Sequence, residues 1–312
     1  MLRRVEISPE AYRRITLVAL VLLGVIVVSG AAVRLTGSGL GCPTWPRCES
    51  NSLVPRGATG AHGTIEFVNR TFTGAVSVAV MLAVLGSLVR APRRRDLTWL
   101  SLGLVAGVIG QIVLGGLTVL FDLAPPFVIG HFVVSMLLIA DAVVLHHRAG
   151  EPDGDSVPLV APEVRTMGRL LIASAALVIA TGTIVTGAGP HGGDEKVRRL
   201  AFDVADVARL HGVAENLFLL ATLLTLWLIH RTKAPARVRR DGQQLLVVLV
   251  AQAAVGYTQY WTGVPVVLVG VHVAGAVLVW VAVLRFTLRL RAVLPSTGTE
   301  PPLTPTAAVA LH

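Results

Sequence analysis

The sequence predicts an all-α membrane protein of eight transmembrane helices, arranged as two pseudo-symmetric four-helix bundles. Of its 312 residues, 54% are hydrophobic and 14% are charged, which is more apolar than a soluble domain needs. The apolar residues form runs of about 20, the length at which a helix crosses a bilayer. The order of runs and loops also occurs twice, so the second half of the chain repeats the first.

The eight runs are continuous and rich in leucine, valine and alanine, whereas the strands of a membrane β-barrel alternate between apolar and polar residues. The first run is too long for the core of a signal peptide and has no convincing cleavage site, so we expect a retained helix. The predicted spans are about 15–33, 67–89, 97–120, 127–146, 168–188, 208–229, 244–261 and 266–288.

Basic residues gather before the first span, after the second and the sixth, and at the end of the eighth. The positive-inside rule therefore places both termini in the cytoplasm of a multi-pass plasma-membrane protein. These clusters account for the net charge of +9, so the charge does not indicate nucleic acid. One outer loop carries basic residues against the rule, with acidic residues among them.

We divide the chain into an N-terminal half at 1–148, a polar cytoplasmic linker at 149–166, a C-terminal half at 167–292 and a tail at 293–312. The tail is rich in proline, threonine and alanine, and we expect it to be disordered. Each half has an even number of spans, so both enter the membrane from the same side and the repeats are parallel. Bundles of this kind bind cofactors between facing helices.

A nearly constant offset relates the histidines of the two halves. His131 and His272 differ by 272 − 131 = 141, and a glutamine 20 residues before each follows the same offset. His211 corresponds to Asn69 of the first half, since 211 − 69 = 142. Two imidazoles on separate helices of one bundle, here His211 and His272, can bind a heme iron from both faces. The alternative is that they only form hydrogen bonds to backbone or water.

The first half differs from this pattern. It has His131 at the repeat position, but Asn69 in place of the second histidine, and an amide is a poor iron ligand. Glu66, three residues before Asn69, is expected on the same helical face, beside His131, and His62 lies one turn further out. A carboxylate at this depth is costly. It either pairs with Arg70, four residues on, or transfers protons or attacks a reactive carbon of a ligand.

The two cysteines, Cys42 and Cys48, lie in the first outer loop, where disulfides persist. They can form one bridge, either as a loop staple or as a thiol pair that cycles during function. Basic residues near the outer helix ends suit the carboxylate tails of a bound macrocycle. These candidates are Arg34, Arg70, Arg198, Arg199 and Arg209.

Five motifs follow one another along the chain: RLTGSGLGCPTWPRC, IEFVNRTFTG, TGAGPHGGD, RLHG and QYWTGVPVVLVGVHVAG. Together they resemble the heme A synthase family over about residues 15–290. The resemblance implies oxidation of a methyl group of heme O to the formyl group of heme A, for oxidases of the cytochrome c oxidase type. The implied route is successive hydroxylation to a gem-diol that loses water.

The resemblance also implies roles for individual residues. The C-terminal half would hold heme b as cofactor between His211 and His272. The N-terminal half would receive the substrate heme O, with Glu66 as catalyst and His131 as an iron ligand. The outer cysteine pair matches one linked to redox or partner roles in some members of the family.

The departure from the family lies at Asn69. The commoner pattern is Glu-x-x-His-Arg, whereas this chain reads Glu66-Phe-Val-Asn69-Arg70. Three interpretations follow for the substrate iron: His62 replaces the missing ligand, Asn69 contacts a water on the iron, or the iron is five-coordinate through His131. We favour the last two, because an open iron position could help oxidative chemistry.

The partners to be expected are heme O, the prenyltransferase that makes it, oxidase assembly factors, an electron donor of unknown identity and the lipid bilayer, but no nucleic acid. A homo-oligomer is left open. Two other functions compete with heme A synthesis. A diheme electron-transfer cytochrome would carry two permanent hemes, and a parallel-repeat transporter would carry no pigment.

Overall fold

A computed structural model describes residues 6–49, 52–56 and 60–295 of the chain. Eight helices dominate this part, which confirms the all-α prediction. They are α1 Pro9–Leu35, α2 Gly60–Val89, α3 Arg95–Leu120, α4 Pro125–Ala149, α5 Pro162–Ala188, α6 Val204–Arg231, α7 Ala236–Trp261 and α8 Val266–Leu288, with two short strands, β1 Gly154–Pro158 and β2 Arg291–Pro295.

Seven of the eight helices in the described residues are long and apolar enough to cross a membrane. The exception is α7, which begins with the polar stretch ARVRRDGQQ and carries Gln252 and Gln259 further on. It packs between α6 and α8, so part of its polar surface faces protein. The seventh predicted span is therefore a helix in the expected place, but its composition alone does not mark it as one.

Two helices begin several residues before the start that their apolar runs predict. α2 begins at Gly60 rather than near 67, and α6 begins at Val204 rather than near 208. The side chain of Asp203 caps α6 by accepting hydrogen bonds from the N–H groups of Ala205 and Asp206 at 2.9 and 3.1 Å. Apolar runs mark only the part of a helix inside the hydrocarbon, so these outer turns are missed.

The helix contacts close into two rings. In the first half they run from α1 through α2 and α3 to α4 and back to α1, and in the second half α5 to α8 repeat this ring. The halves meet where α4 packs on α5 and α8 and where α1 packs on α8. At this junction the indole N–H of Trp280 donates to the carbonyl of Met136 at 2.9 Å. Each ring places its second and fourth helices diagonally, so their inner faces look across a shared centre.

The two strands form an antiparallel pair that the sequence does not predict. β1 lies in the linker and β2 directly follows α8, and Arg291 donates to both the hydroxyl and the carbonyl of Ser156. Pairing across so long a separation leaves no local signal. Residues 293–295 of the tail therefore belong to β2 rather than to a disordered segment, and residues 296–312 lie outside the described part.

The two loops that the sequence predicts on the outer side, here called the outer loops, contact each other at one end of both bundles. Gly39 of the first loop donates its N–H to the carbonyl of Gly193 of the second at 3.0 Å, and Nε2 of His191 lies 2.9 Å from the carbonyl of Val264 in the turn between α7 and α8. Val264 and Leu123 both have a left-handed φ, of 61° and 56°. Their positions differ by the repeat offset, since 264 − 123 = 141. The repeat offset thus extends to the backbone of the outer turns.

Candidate functional site

The centre of the second bundle holds a pair of facing histidines. His211 on α6 and His272 on α8 come from diagonal helices, and their ring centres are 6.2 Å apart at an interplanar angle of 72°. Both residues are half-buried. The structure therefore brings these two side chains together in one bundle.

The spacing fits two ligands of one metal. An imidazole nitrogen binds a transition metal at about 2 Å and lies about 1 Å from its ring centre, so two rings on opposite sides of a metal have centres about 6 Å apart. Within the described residues, no group of three or more His, Cys, Asp or Glu side chains could hold a metal ion. A metal between His211 and His272 would need further ligands of its own, as the iron of a porphyrin has.

Each ring of the pair is held by a neighbour from the adjoining helix. Nδ1 of His211 lies 3.1 Å from the hydroxyl of Thr181 on α5. The amide nitrogen of Gln252 on α7 lies 3.1 Å from Nδ1 of His272 and donates to the carbonyl of that residue at 2.9 Å. The hydroxyl of Thr181 can accept the Nδ1–H of His211 and so leave its Nε2 towards a metal, and Gln252 holds His272 through the bond to its carbonyl.

Glycines make room for both rings. A Cβ built on Gly182 would lie 3.1 Å from Cε1 of His211, and one built on Gly256 would lie 3.0 Å from Cε1 of His272. These contacts are tight, and a longer side chain would have to displace the ring. The absence of a side chain at these two glycines therefore allows the imidazole rings to occupy their positions.

Replacing Gly182 with valine is expected to push the His211 ring out of place and to lower the affinity of a metal held by this pair about 10- to 100-fold, the usual cost of disturbing a metal ligand's support. The measurement is the amount of metal bound per purified protein. The matched control is Gly74→Val in the exposed surface of α2, where an added Cβ meets nothing within 4 Å. Equal metal content in both variants would contradict the packing argument.

The first bundle repeats one part of this arrangement. Gln111 donates to the carbonyl of His131 at 2.9 Å, the same bond that joins Gln252 to His272. The other contact differs, because the amide nitrogen of Gln111 donates to the hydroxyl of Ser135 at 2.7 Å, whereas that of Gln252 lies beside Nδ1 of the histidine. Nδ1 of His131 and Oε1 of Gln111 are then buried without a hydrogen-bond partner in the described residues. Such atoms are rare in folded proteins and often mark a functional site.

Glu66 is 5% exposed and hydrogen-bonded on both oxygens. Oε1 pairs with the guanidinium of Arg70, and Oε2 accepts the N–H of Cys42 at 2.7 Å. Arg70 also donates to the carbonyls of Cys42, Thr44 and Arg47. The ion pair with Arg70 is therefore formed. The described hydrogen bonds of Glu66 run to Arg70 on the same helix and to Cys42 of the loop, and none of them joins it to His131.

The disulfide loop covers the outer end of the first bundle. Cys42 and Cys48 are bridged, as predicted, and are 0% and 1% exposed. Trp45, between them, lies against Gly116 of α3, where a Cβ would come within 2.7 Å of the indole. The preceding glycine, Gly115, lies against the ring of His131. Buried sulfurs favour the staple interpretation, because thiol exchange requires access to a sulfur.

The double variant Cys42→Ser/Cys48→Ser is expected to lose about 2 kcal/mol of stability, the loop-closure contribution of a bridge with this short separation. Melting temperature in detergent measures the loss. If the bridge is a staple, a membrane-impermeant reductant should leave the native protein's bridge and activity intact. Rapid reduction of the folded protein would instead favour the cycling interpretation.

The remaining predicted site residues are scattered. Asn69 accepts a hydrogen bond from Ser29 on α1 at 2.7 Å. His62 is exposed and its Nδ1 lies 2.9 Å from the hydroxyl of Ser38 in the outer loop. Arg34 donates to the carbonyl of His191 at 2.6 Å.

The other outer arginines differ in burial. Arg198 is exposed, and Arg209 forms an exposed ion pair with Asp206. Arg199 is partly buried, which lowers the pKa of its guanidinium, and it donates to the carbonyl of Pro190. Among the candidate arginines, Arg34, Arg70 and Arg199 are thus the partly buried ones.

Sequence reasoning misses two acidic residues inside apolar helices. Asp141 lies in α4, and Glu215 lies one turn after His211 in α6, with Oε1 buried and unpartnered among the described residues. An acid within an apolar run is itself a functional signal. It also misses Thr181, since hydroxyl residues in membrane helices commonly bond to their own backbone and give no distinctive pattern.

Residues 13–191 match the COX15-CtaA family, described as cytochrome oxidase assembly protein. The match covers more than half of the chain and includes Glu66, Asn69 and His131. The chain belongs to this family. The family match favours the heme A synthase interpretation over the electron-transfer cytochrome and the transporter.

Similar proteins support the same assignment. Heme A synthase of Listeria welshimeri serovar 6b is 28% identical over 261 residues, which is 80% of this chain and 85% of the relative. Heme A synthase of Shouchella clausii is 27% identical over 249 residues, 75% of this chain and 82% of the relative. Heme A synthase of Lysinibacillus sphaericus is 28% identical over 165 residues, 51% and 53% of the two chains. This membrane-protein family thus extends across both bundles.

Proposed function

We propose that this protein is a heme A synthase that oxidises the methyl group of heme O to a formyl group. The observation that carries the proposal is the imidazole pair of His211 and His272, with ring centres 6.2 Å apart, in a member of the cytochrome oxidase assembly family. This pair fits a bis-histidine heme b, which would supply one-electron redox chemistry when bound.

The residues of the second bundle would hold and orient that heme. His211 and His272 would bind the iron through Nε2, while Thr181 and Gln252 keep both rings in position. The buried carboxyl of Glu215, one turn from His211, would be the nearest acid on α6. Family membership supports heme as the cofactor, and the geometry of the pair supports where it would bind.

The first bundle would receive heme O. His131 would bind its iron, and the partnerless Nδ1 of that ring would be available to a water or a substrate group. Glu66 would hold or move a proton at the reacting carbon, and Arg70 would keep the carboxylate oriented between α2 and the disulfide loop. Trp45 and that loop would shield the reaction from bulk water. The inward Arg34 and Arg199 would offer charge-assisted hydrogen bonds to the propionates of bound heme.

We further propose the plasma membrane as its location, with both termini in the cytoplasm. The basic clusters at the ends of alternate helices support this orientation. The prenyltransferase that makes heme O would be the natural partner for hand-over of an apolar substrate, together with oxidase assembly factors. Its heme A would pass to terminal oxidases of the cytochrome c oxidase type.

The test is production of the full chain in a bacterial host that makes heme O but no heme A, followed by chromatography of the extracted hemes. Heme A should appear only when the chain is present. A protein that carries two permanent hemes and leaves heme O unchanged would instead be an electron-transfer cytochrome.

A further inference from the structure

One contact in the first bundle copies a contact of the second. The hydroxyl of Thr181 on α5 lies 3.1 Å from Nδ1 of His211 on α6, and the hydroxyl of Ser29 on α1 donates to Oδ1 of Asn69 on α2 at 2.7 Å. Each hydroxyl oxygen also lies within hydrogen-bond distance of the carbonyl three residues earlier, at 3.0 and 3.2 Å. Asn69 is therefore held as His211 is held, although it cannot act as a histidine does.

The two hydroxyl residues also occupy the same place in their helices. α1 and α5 both begin with proline, and Ser29 and Thr181 stand 29 − 9 = 20 and 181 − 162 = 19 residues after it. A glycine follows each of them. The first bundle thus retains the hydroxyl–glycine pair that supports an imidazole in the second.

The space beside that glycine differs between the halves. A Cβ on Gly182 would lie 3.1 Å from the His211 ring, whereas a Cβ on Gly30 would meet no atom within 4 Å. Asparagine is shorter than histidine, so the room that an imidazole fills in the second bundle stays open in the first. A neutral amide does not replace the lost ligand, since carbonyl oxygen suits magnesium and calcium, whereas imidazole suits iron.

We propose that Asn69 occupies the ligand position of the first bundle without binding iron, and that Ser29 is its positioning residue. A heme in this bundle is then bound by the protein through His131 alone, and its other face accepts a small ligand from solution, with the Asn69 amide beside it. This deepens and rests on the proposed function, because it specifies how the substrate site of this chain differs from its cofactor site.

The test uses the purified full-length protein with its resident heme, to which ferrous iron protoporphyrin IX is added as a probe, followed by carbon monoxide. The added heme should bind carbon monoxide. In His131→Ala the protein should no longer bind the added heme. In Asn69→His the added heme should become low-spin, and its carbon monoxide affinity should fall at least tenfold. An unchanged spectrum of the resident heme shows that the variant is folded.

Ser29 is tested in the Asn69→His background. Ser29→Ala should restore part of the carbon monoxide binding, because the new imidazole loses its support, and Ser29→Thr should keep the low-spin state. Identical spectra for alanine and threonine at position 29 would overturn the role of Ser29.

Two results would overturn the open iron face. One is that the heme added to the wild-type protein is already low-spin and does not bind carbon monoxide. Another side chain, such as His62, would then complete the coordination of its iron. The other is an Asn69→His variant that binds carbon monoxide like the wild type. In either case continued production of heme A would leave the proposed function standing, whereas its absence in the wild type would reject that function itself.

Discussion

Replacing His272 with alanine is expected to remove from the purified protein the low-spin heme b that the proposed cofactor site would hold. Even residues that only support a ligand are worth about 10- to 100-fold in metal affinity, so loss of an axial ligand should lower the affinity by more than about 100-fold. His211→Ala should have the same effect, because both imidazoles would bind one iron. Heme content per protein and the absorption spectrum measure the change.

The matched control is His230→Ala, at the exposed C-terminal end of α6, which should keep the full heme content. A His272→Ala protein that retains a low-spin heme would show that this histidine is not an iron ligand. The pair would then be an ordinary hydrogen-bonded contact, with Thr181 and Gln252 as its structural partners.

Replacing Glu66 with glutamine is expected to reduce heme A formation about 10²- to 10⁴-fold, the usual contribution of a general acid–base group. Glutamine keeps the size of the side chain and can still accept the N–H of Cys42, but it cannot pair electrostatically with Arg70 or take up a proton. The ratio of heme A to heme O in extracted hemes measures the effect. Heme O should accumulate in the variant.

Two controls separate chemistry from folding. Glu195→Gln, in the exposed second outer loop, should leave the ratio unchanged, and the heme b spectrum of Glu66→Gln should match that of the wild type, because the second bundle is intact. Wild-type levels of heme A in Glu66→Gln would reject the catalytic assignment and leave Glu66 as an anchor of the disulfide loop.

The parts of the fold that follow a local or periodic signal could be predicted from the sequence. The predicted spans fall within all eight helices, of which seven are apolar enough to be recognised by composition alone, and the offset of 141 between His131 and His272 predicts the repeat that the two rings of helices confirm. The position of α7 was predicted even though its glutamines lower its hydropathy. These glutamines include Gln252, which contacts His272, so a residue of the site weakens the membrane signal of its own helix.

The parts that depend on contacts between distant segments could not be predicted. The bond from Cys42 to Glu66 requires an outer loop to fold back onto α2, and the Trp45 contact requires the same loop to reach Gly116 of α3. The pairing of β1 with β2 joins segments on either side of the whole second half. Helical spacing indicates that Glu66 and Arg70 can meet, but not that the loop shares their ion pair.

The position of iron in the protein purified with its heme is the most direct measurement of the proposed cofactor site. Anomalous diffraction at the iron edge, or a cryo-electron-microscopy map that resolves the porphyrin, would locate it. We expect iron between the Nε2 atoms of His211 and His272, about 2 Å from each. Iron elsewhere, with these two rings in contact only with protein or lipid, would contradict the proposal.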